Sequence, residues 1–191
     1  MLVTSQPPHP DDDYTTGGEF GNAVFHPDRI DGGKLLKMAV THDLCEALAG
    51  DVTPFCDKSK VENKHEVERT AMKEIRKIVG DPLGEELFGL WKEYEELETT
   101  EAIYCKDIDK FEMVMQAYEY EKAHLRNKSE VGDGDGDDDD ASVSSKPMRT
   151  FFITTQKKMK SPMFKRLDAE LRTKREAMLN ERGWDTTAEE R

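Results

Sequence analysis

A cluster of three ionisable residues lies within an apolar stretch of the chain, residues 34 to 55. The cluster comprises His42, Asp43 and Glu46. On a helix, Glu46 follows His42 by four residues and Asp43 by three, so the three side chains share one face. Apolar residues occupy most of the other positions, and a helix of this kind is expected to be buried. Because an unpaired buried carboxylate is costly, a metal ion or a basic side chain must neutralise the cluster.

Both ways of neutralising the cluster have a chemical basis. An imidazole with carboxylates, and without thiolates, suits Zn, Fe or Ni at the nitrogen and Mn or Mg at the oxygens. Alternatively, His42 and Asp43 form a polar helix end that pairs with its neighbours. Gly50 is predicted to end the helix in the left-handed conformation, and Pro54 excludes a helical continuation.

Two segments of the chain resemble one known family. The pattern from His42 to Pro54, His-Asp-x-x-Glu-x-x-x-Gly-Asp-x-x-Pro, resembles the core of the HD-domain metallophosphohydrolases. It is most similar to the branch called HD domain-containing protein 2, the 5'-deoxynucleotidases. The segment from Lys106 to Glu121 resembles the one that supplies the last metal-ligating aspartate of this family. The resemblance covers roughly residues 28 to 125 and, more weakly, the final helix.

The second segment contains two candidate aspartates, and the resemblance assigns the ligand role to Asp109 rather than Asp107. From periodicity alone, Asp109 is equally compatible with a solvated helix face beside Lys106 and Lys110. We interpret these two lysines as exposed surface residues rather than phosphate ligands. At helical spacing, Trp91 and Tyr94 are predicted to be core residues.

The resemblance implies a divalent cofactor, Mn²⁺, Co²⁺ or Mg²⁺, held by His42, Asp43 and Asp109. It also implies the substrate class and the reaction, which is hydrolysis of deoxyribonucleoside 5'-monophosphates to deoxynucleoside and phosphate. In such chemistry the ion lowers the pKa of a water molecule and polarises the phosphoryl group.

Two roles remain open for the acidic residues that complete the first segment. The resemblance implies a second metal position formed by Glu46, Asp51 and the backbone carbonyl of Val52. In the alternative, Glu46 is a general base and Asp51 is the acid that protonates the leaving 5'-oxygen. The sequence does not choose between these roles.

The chain departs from the family pattern upstream of residue 28. The family carries an earlier helix with a His-x-x-Arg type motif, whereas residues 1–27 are rich in Pro, Asp and Gly. His9 lies in Pro-Pro-His-Pro and His26 directly precedes Pro27, so neither lies in an apolar helical repeat, and neither is assigned a ligand role. A second hypothesis is therefore an N-terminally truncated, catalytically impaired binding or assembly module. A third is another HD-family reaction, against which the Gly-Asp-x-x-Pro extension argues.

Composition limits the partners and the compartment. The 191 residues carry a net charge of −13, which disfavours duplex nucleic acid as a partner. Three cysteines form no disulfide framework, which favours a reducing compartment, so we expect a cytoplasmic or also nuclear protein. No segment reads as a signal peptide or a membrane span, so no membrane partner is expected. A homodimer is expected.

The apolar periodicity predicts an all-α helical bundle of the HD-domain type. Helices are expected from about residue 31–34 to 49, over 61–79, from Pro82 to Leu97, over 101–125, and after Ser161-Pro162. The predicted organisation is a leader (1–27), an HD core (28–126), an acidic disordered insertion (127–148), a helical part of the same domain (149–182) and a polar tail (183–191).

Overall fold

A computed structural model of the protein describes residues 30–51, 58–130 and 146–185. The predicted leader, Val52 and most of the acidic insertion lie outside these ranges, and their organisation stays a prediction. The predicted all-α class is confirmed. The helices are α1 (Gly32–Thr41), α2 (Glu46–Ala49), α3 (Lys58–Val79), α4 (Leu83–Glu96), α5 (Thr100–His124), α6 (Arg149–Thr155) and α7 (Pro162–Glu181), with a short 3-10 helix at Lys128–Glu130.

The chain divides into two compact units, Met1–Lys106 and Asp107–Arg191. In the first unit, α4 packs against both α1 and α3, and α2 packs against α3. A buried cluster joins α3, α4 and the turn before α2, and it consists of Cys45, Ala71, Met72, Ile75 and Trp91. Tyr94 is also buried, so the prediction that Trp91 and Tyr94 are core residues is confirmed.

The predicted single helix through the ionisable cluster is wrong at its centre, because α1 ends at Thr41. The backbone there tightens into i to i+3 hydrogen bonds, from the Leu44 N–H to the Thr41 carbonyl (3.0 Å) and from the Glu46 N–H to the Asp43 carbonyl (2.9 Å). Such turns advance about 120° per residue instead of about 100°. The tightened turn accompanies the packing of Leu44 and Cys45 against α3 and α4.

The expectation that this stretch is buried on most faces is also wrong. Leu36, Val40 and Leu48 are exposed, whereas Leu35 and Met38 are buried. The burial of α1 therefore follows one stripe rather than most of its circumference.

The connection between α3 and α4 brings the two helices into close contact. Pro82 occupies the N-cap position of α4. The carboxylate of Asp81 accepts hydrogen bonds from Arg76 Nε (3.0 Å) and Nη2 (2.8 Å). A Cβ atom added to Gly84 would lie only 2.6 Å from the backbone oxygen of Arg76. Glycine at this position is what lets α4 begin against the end of α3.

The start of α5 agrees with its prediction. The Oγ1 of Thr99 accepts a hydrogen bond from the Ala102 N–H at 3.2 Å, as expected for a residue that caps a helix. The helix then runs from Thr100 to His124.

Two buried carboxylates organise the second unit. Asp107 accepts hydrogen bonds from the backbone N–H groups of Lys160 (2.9 Å) and Ser161 (2.6 Å), and so fixes the segment that leads into α7. Glu121 pairs with Arg175, whose Nε lies 2.7 Å from the Oε2 of Glu121. The predicted start of α7 at Ser161-Pro162 is confirmed.

Candidate functional site

His42 lies at the end of α1, and one hydrogen bond orients its ring. The Nδ1 atom is 2.8 Å from the carbonyl oxygen of Ala39. A carbonyl oxygen can only accept, so Nδ1 carries the hydrogen in this bond. The second ring nitrogen, Nε2, is directed at the Oδ2 of Asp43 at 2.9 Å. A backbone bond of this kind is how metal-ligating histidines are commonly held.

Two chemical states satisfy the contact between His42 and Asp43. In one, the imidazole is protonated at both nitrogens and Nε2 donates to the carboxylate. In the other, Nε2 is unprotonated, and a cation must lie between two acceptor atoms. Neighbouring ligands of an octahedral ion, with bonds of about 2.1 Å, lie about 3.0 Å apart. The separation of 2.9 Å, together with one nitrogen and one oxygen donor, therefore fits a divalent ion.

The carboxylate of Asp43 is the more open of the two groups. Its side chain is 60% exposed, whereas that of His42 is 16% exposed. The hydrogen bond with His42 lowers the pKa of Asp43, against the opposing effect of partial burial. The charges of Lys106 and Lys64 lower the pKa of Asp43 further. Asp43 is therefore a charged oxygen donor at the edge of the unit.

Asp43 and Asp51 both place negative charge near Glu46. Partial burial raises the pKa of Glu46, and the charges of Asp43 and Asp51 raise that pKa further. A carboxylate with a raised pKa is a better proton acceptor than an ordinary one. Asp51 is exposed and follows Gly50, whose positive φ of 75° with a ψ of 157° lies outside the predicted left-handed helical region. Val52, the remaining predicted ligand, lies outside the described residues.

An aromatic ring and a lysine support His42 from α4 and α5. The ring centroid of Tyr94 lies 5.0 Å from that of His42 at an interplanar angle of 57°. The Nζ of Lys106 lies 4.0 Å from the centroid of the same Tyr94 ring. The side chain of Lys106 is only 31% exposed. The interpretation of Lys106 as an ordinary surface lysine is therefore wrong, because the Tyr94 ring holds it near the cluster.

Three charged or titratable residues of α3, which are Lys64, His65 and Glu68, make ion pairs or ring contacts. Glu68 is buried, and the Nζ of Lys64 lies 3.3 Å from its Oε1. The ring of His65 stacks on Trp91 with centroids 5.8 Å apart, and its Nδ1 lies 3.5 Å from the Oε2 of Glu95. Lys64 and Glu68 are an i,i+4 pair within α3. The partners of His65 come from α4, so helical spacing within α3 could not reveal them.

The remaining candidate, Asp109, lies on α5 in the second unit, where it is partly buried. Its neighbour Asp107 is fully buried and accepts backbone hydrogen bonds, so that carboxylate has a structural role. Within residues 30–51, 58–130 and 146–185, no group of three or more His, Cys, Asp or Glu side chains is arranged to hold a metal ion. The metal-ligand roles, including that of Asp109, stay predictions.

Comparison with known proteins assigns the chain to a family. The model of the HD domain family matches residues 23–135, which is more than half of the chain. The chain belongs to the HD domain family. An HD domain implies dependence on a divalent metal, which agrees with the donor atoms of His42 and Asp43. No helix within the described parts of this HD protein is both long and apolar enough to cross a membrane.

Several curated proteins are similar to this HD protein. It is 41% identical over 148 residues to the 5'-deoxynucleotidase HDDC2 of Dictyostelium discoideum, a match that covers 76% of the chain and 68% of that relative. It is 32% identical over 158 residues to the protein of the same name from Mus musculus, covering 82% of the chain and 69% of the relative. It is 45% identical over 98 residues to the 5'-deoxynucleotidase hdd1 of Schizosaccharomyces pombe, covering 49% of the chain and 48% of that protein.

Proposed function

We propose that the chain is a metal-dependent 5'-deoxynucleotidase, which hydrolyses deoxyribonucleoside 5'-monophosphates to deoxynucleoside and phosphate. The observation that carries the proposal is the meeting of His42 Nε2 and Asp43 Oδ2 at 2.9 Å, with Nδ1 of His42 held by the Ala39 carbonyl. The names of the similar proteins from three organisms support the same activity. They favour an enzyme over the binding or assembly module.

The proposed ligands of the ion are His42, Asp43 and Asp109. Mn²⁺, Co²⁺ and Mg²⁺ are the proposed cofactors, since each accepts a mixed nitrogen and oxygen donor set. Once bound, the ion activates water and neutralises charge on the phosphoryl group. The residues of the chain supply the orientation: the Ala39 carbonyl fixes the His42 tautomer, and the Tyr94 ring limits rotation of the imidazole.

Glu46 is the proposed general base. Its raised pKa, caused first by burial, suits a carboxylate that accepts the proton of the attacking water. Asp51 then donates a proton to the leaving 5'-oxygen of the deoxynucleoside. In the alternative, Glu46, Asp51 and the Val52 carbonyl hold a second ion. The number of ions bound per chain distinguishes the two assignments, because one ion supports the acid and base roles and two support the second site.

Hydrolysis of dAMP by the purified chain tests the function. We expect phosphate release that depends on Mn²⁺, Co²⁺ or Mg²⁺ and falls by more than about a hundredfold in His42→Ala and Asp43→Ala, since both remove a metal donor. His124→Ala is the matched control, because this histidine packs on Tyr120 in the second unit, with ring centroids 4.6 Å apart. Full activity of His42→Ala would exclude the proposed mechanism.

The oligomeric state and compartment are proposals as well. We propose a homodimer, which light scattering coupled to size-exclusion chromatography would test. We also propose that the protein acts in the cytoplasm or also the nucleus. The three cysteines are too few and too irregularly spaced for a disulfide framework, which supports a reducing compartment.

A further inference from the structure

The ammonium group of Lys106 is held by an aromatic ring and a carboxylate. It lies 4.0 Å from the Tyr94 ring centroid, and the same ring packs on the His42 imidazole. The Oε1 of Glu95 is 3.7 Å from Lys106 Nζ, which is longer than a hydrogen bond. Lys106 therefore makes an ion pair with Glu95 but donates no hydrogen bond to it. The Tyr94 ring holds the ammonium group in place.

The charges around Lys106 define the chemistry of its ligand. Asp43, Glu46 and Asp51 are three carboxylates of the proposed active site, and a phosphate monoester is itself an anion. Cations other than the metal must therefore reduce the repulsion when substrate enters. Lys64 is less suited to this role, because its ammonium compensates the buried carboxylate of Glu68 at 3.3 Å.

We propose that Lys106 binds the phosphate group of the substrate, held for this role by the Tyr94 ring and by Glu95. The inference rests on the proposed 5'-deoxynucleotidase function and adds a substrate contact to it. Lys106 approaches the cluster from α5, whereas His42 and Asp43 approach from the end of α1. A phosphate oxygen beside the cluster would accept a charge-assisted hydrogen bond from the Lys106 ammonium.

Inhibition constants provide a test that separates phosphate recognition from folding. Lys106→Met and Lys106→Arg are compared with wild type in dAMP hydrolysis and in competition by inorganic phosphate and by deoxyadenosine. We expect Lys106→Met to raise the KM for dAMP and the inhibition constant of phosphate about tenfold, the factor expected for one charge-assisted hydrogen bond. The inhibition constant of deoxyadenosine should not change, and Lys106→Arg should restore most of the phosphate affinity.

Lys92→Met is the matched control. Lys92 is an exposed lysine of α4 that pairs with Glu96 at 3.2 Å, so its loss should leave all three constants unchanged. Equal inhibition by phosphate in wild type and Lys106→Met would overturn the inference while leaving the enzyme function intact. Loss of folding in Lys106→Met, or an equal change for deoxyadenosine, would assign Lys106 a packing role and also overturn it. A wild-type chain that releases no phosphate from dAMP would instead contradict the proposed function itself.

Discussion

The Tyr94 ring packs against the His42 ring, with centroids 5.0 Å apart and an interplanar angle of 57°. Tyr94 is buried on α4, so the orientation of the imidazole depends on the core of the first unit as well as on the Ala39 carbonyl. The proposed metal donor is therefore positioned from two sides. This arrangement connects the stability of the unit to the affinity of the site.

Removing the Tyr94 ring should weaken both stability and metal binding. We expect Tyr94→Leu to lower the free energy of unfolding by about 2–4 kcal/mol, in the range for loss of a buried aromatic side chain. It should also reduce Mn²⁺ affinity, since the imidazole loses its support. Urea unfolding and calorimetric titration of Mn²⁺ measure the two effects. Tyr94→Phe keeps the ring and should retain most of the metal affinity; an equal loss in both variants would contradict the packing role.

The close contact between α3 and α4 predicts opposite effects on stability for two glycine substitutions in α4. Gly84→Ala should destabilise the protein by about 1–3 kcal/mol, because the new Cβ would meet the Arg76 backbone oxygen at 2.6 Å. Gly89→Ala is the control, since a Cβ there has no atom of the described structure within 4 Å. That change should stabilise α4 by about 0.5–1 kcal/mol. Thermal unfolding of both variants decides the matter, and a stabilising Gly84→Ala would refute the close contact.

The buried ion pair of the second unit should tolerate double replacement better than single replacement. Glu121 and Arg175 are both buried, and the Met148 N–H also donates to Glu121 Oε1 at 2.6 Å. Arg175→Met should cost about 3–5 kcal/mol, because it leaves a buried carboxylate without its cation. Adding Glu121→Gln should recover part of this loss. A double variant no more stable than Arg175→Met, measured by urea unfolding, would contradict this explanation.

The pair between Asp81 and Arg76 predicts a dependence of stability on pH. The hydrogen bond from Arg76 lowers the pKa of Asp81 from its ordinary value of 3.8. The pair therefore stabilises the folded state above that value, and the contribution is lost as the pH falls through the lowered pKa. The melting temperatures of wild type and Asp81→Asn should differ at pH 6 and converge as the pH falls through the lowered pKa of Asp81. A difference that widens on acidification would show the opposite linkage.

Local patterns predicted the helices of this chain well where one helix carries its own signal. The apolar stripe of α4 predicted the burial of Trp91 and Tyr94, and the predicted start of α5 at residue 101 lies next to the observed start at Thr100. These features depend on helical spacing and on side chains that bond to the nearby backbone. They require no knowledge of how distant parts of the chain meet.

Features that depend on distant partners were not predictable in this way. The end of α1 at Thr41 accompanies the packing of Leu44 and Cys45 on helices that follow much later. Asp107 reads as a helix-surface residue, yet its partner Lys160 is 53 residues away. Lys106 was likewise predicted to be solvent-exposed, whereas its ammonium group lies over the Tyr94 ring. Within the candidate site, spacing indicated the cluster of His42, Asp43 and Glu46 but not its supporting residues.

Metal binding by the purified chain tests the central claim most directly. Calorimetric titration with Mn²⁺ should show at least one ion per chain, with affinity reduced by more than about tenfold in His42→Ala, Asp43→Ala and Asp109→Ala. Asp81→Asn should bind as wild type does, because this carboxylate pairs with Arg76 away from the cluster. Wild-type affinity in both His42→Ala and Asp109→Ala would contradict the claim that an imidazole and two acids from separate segments of the chain hold one ion.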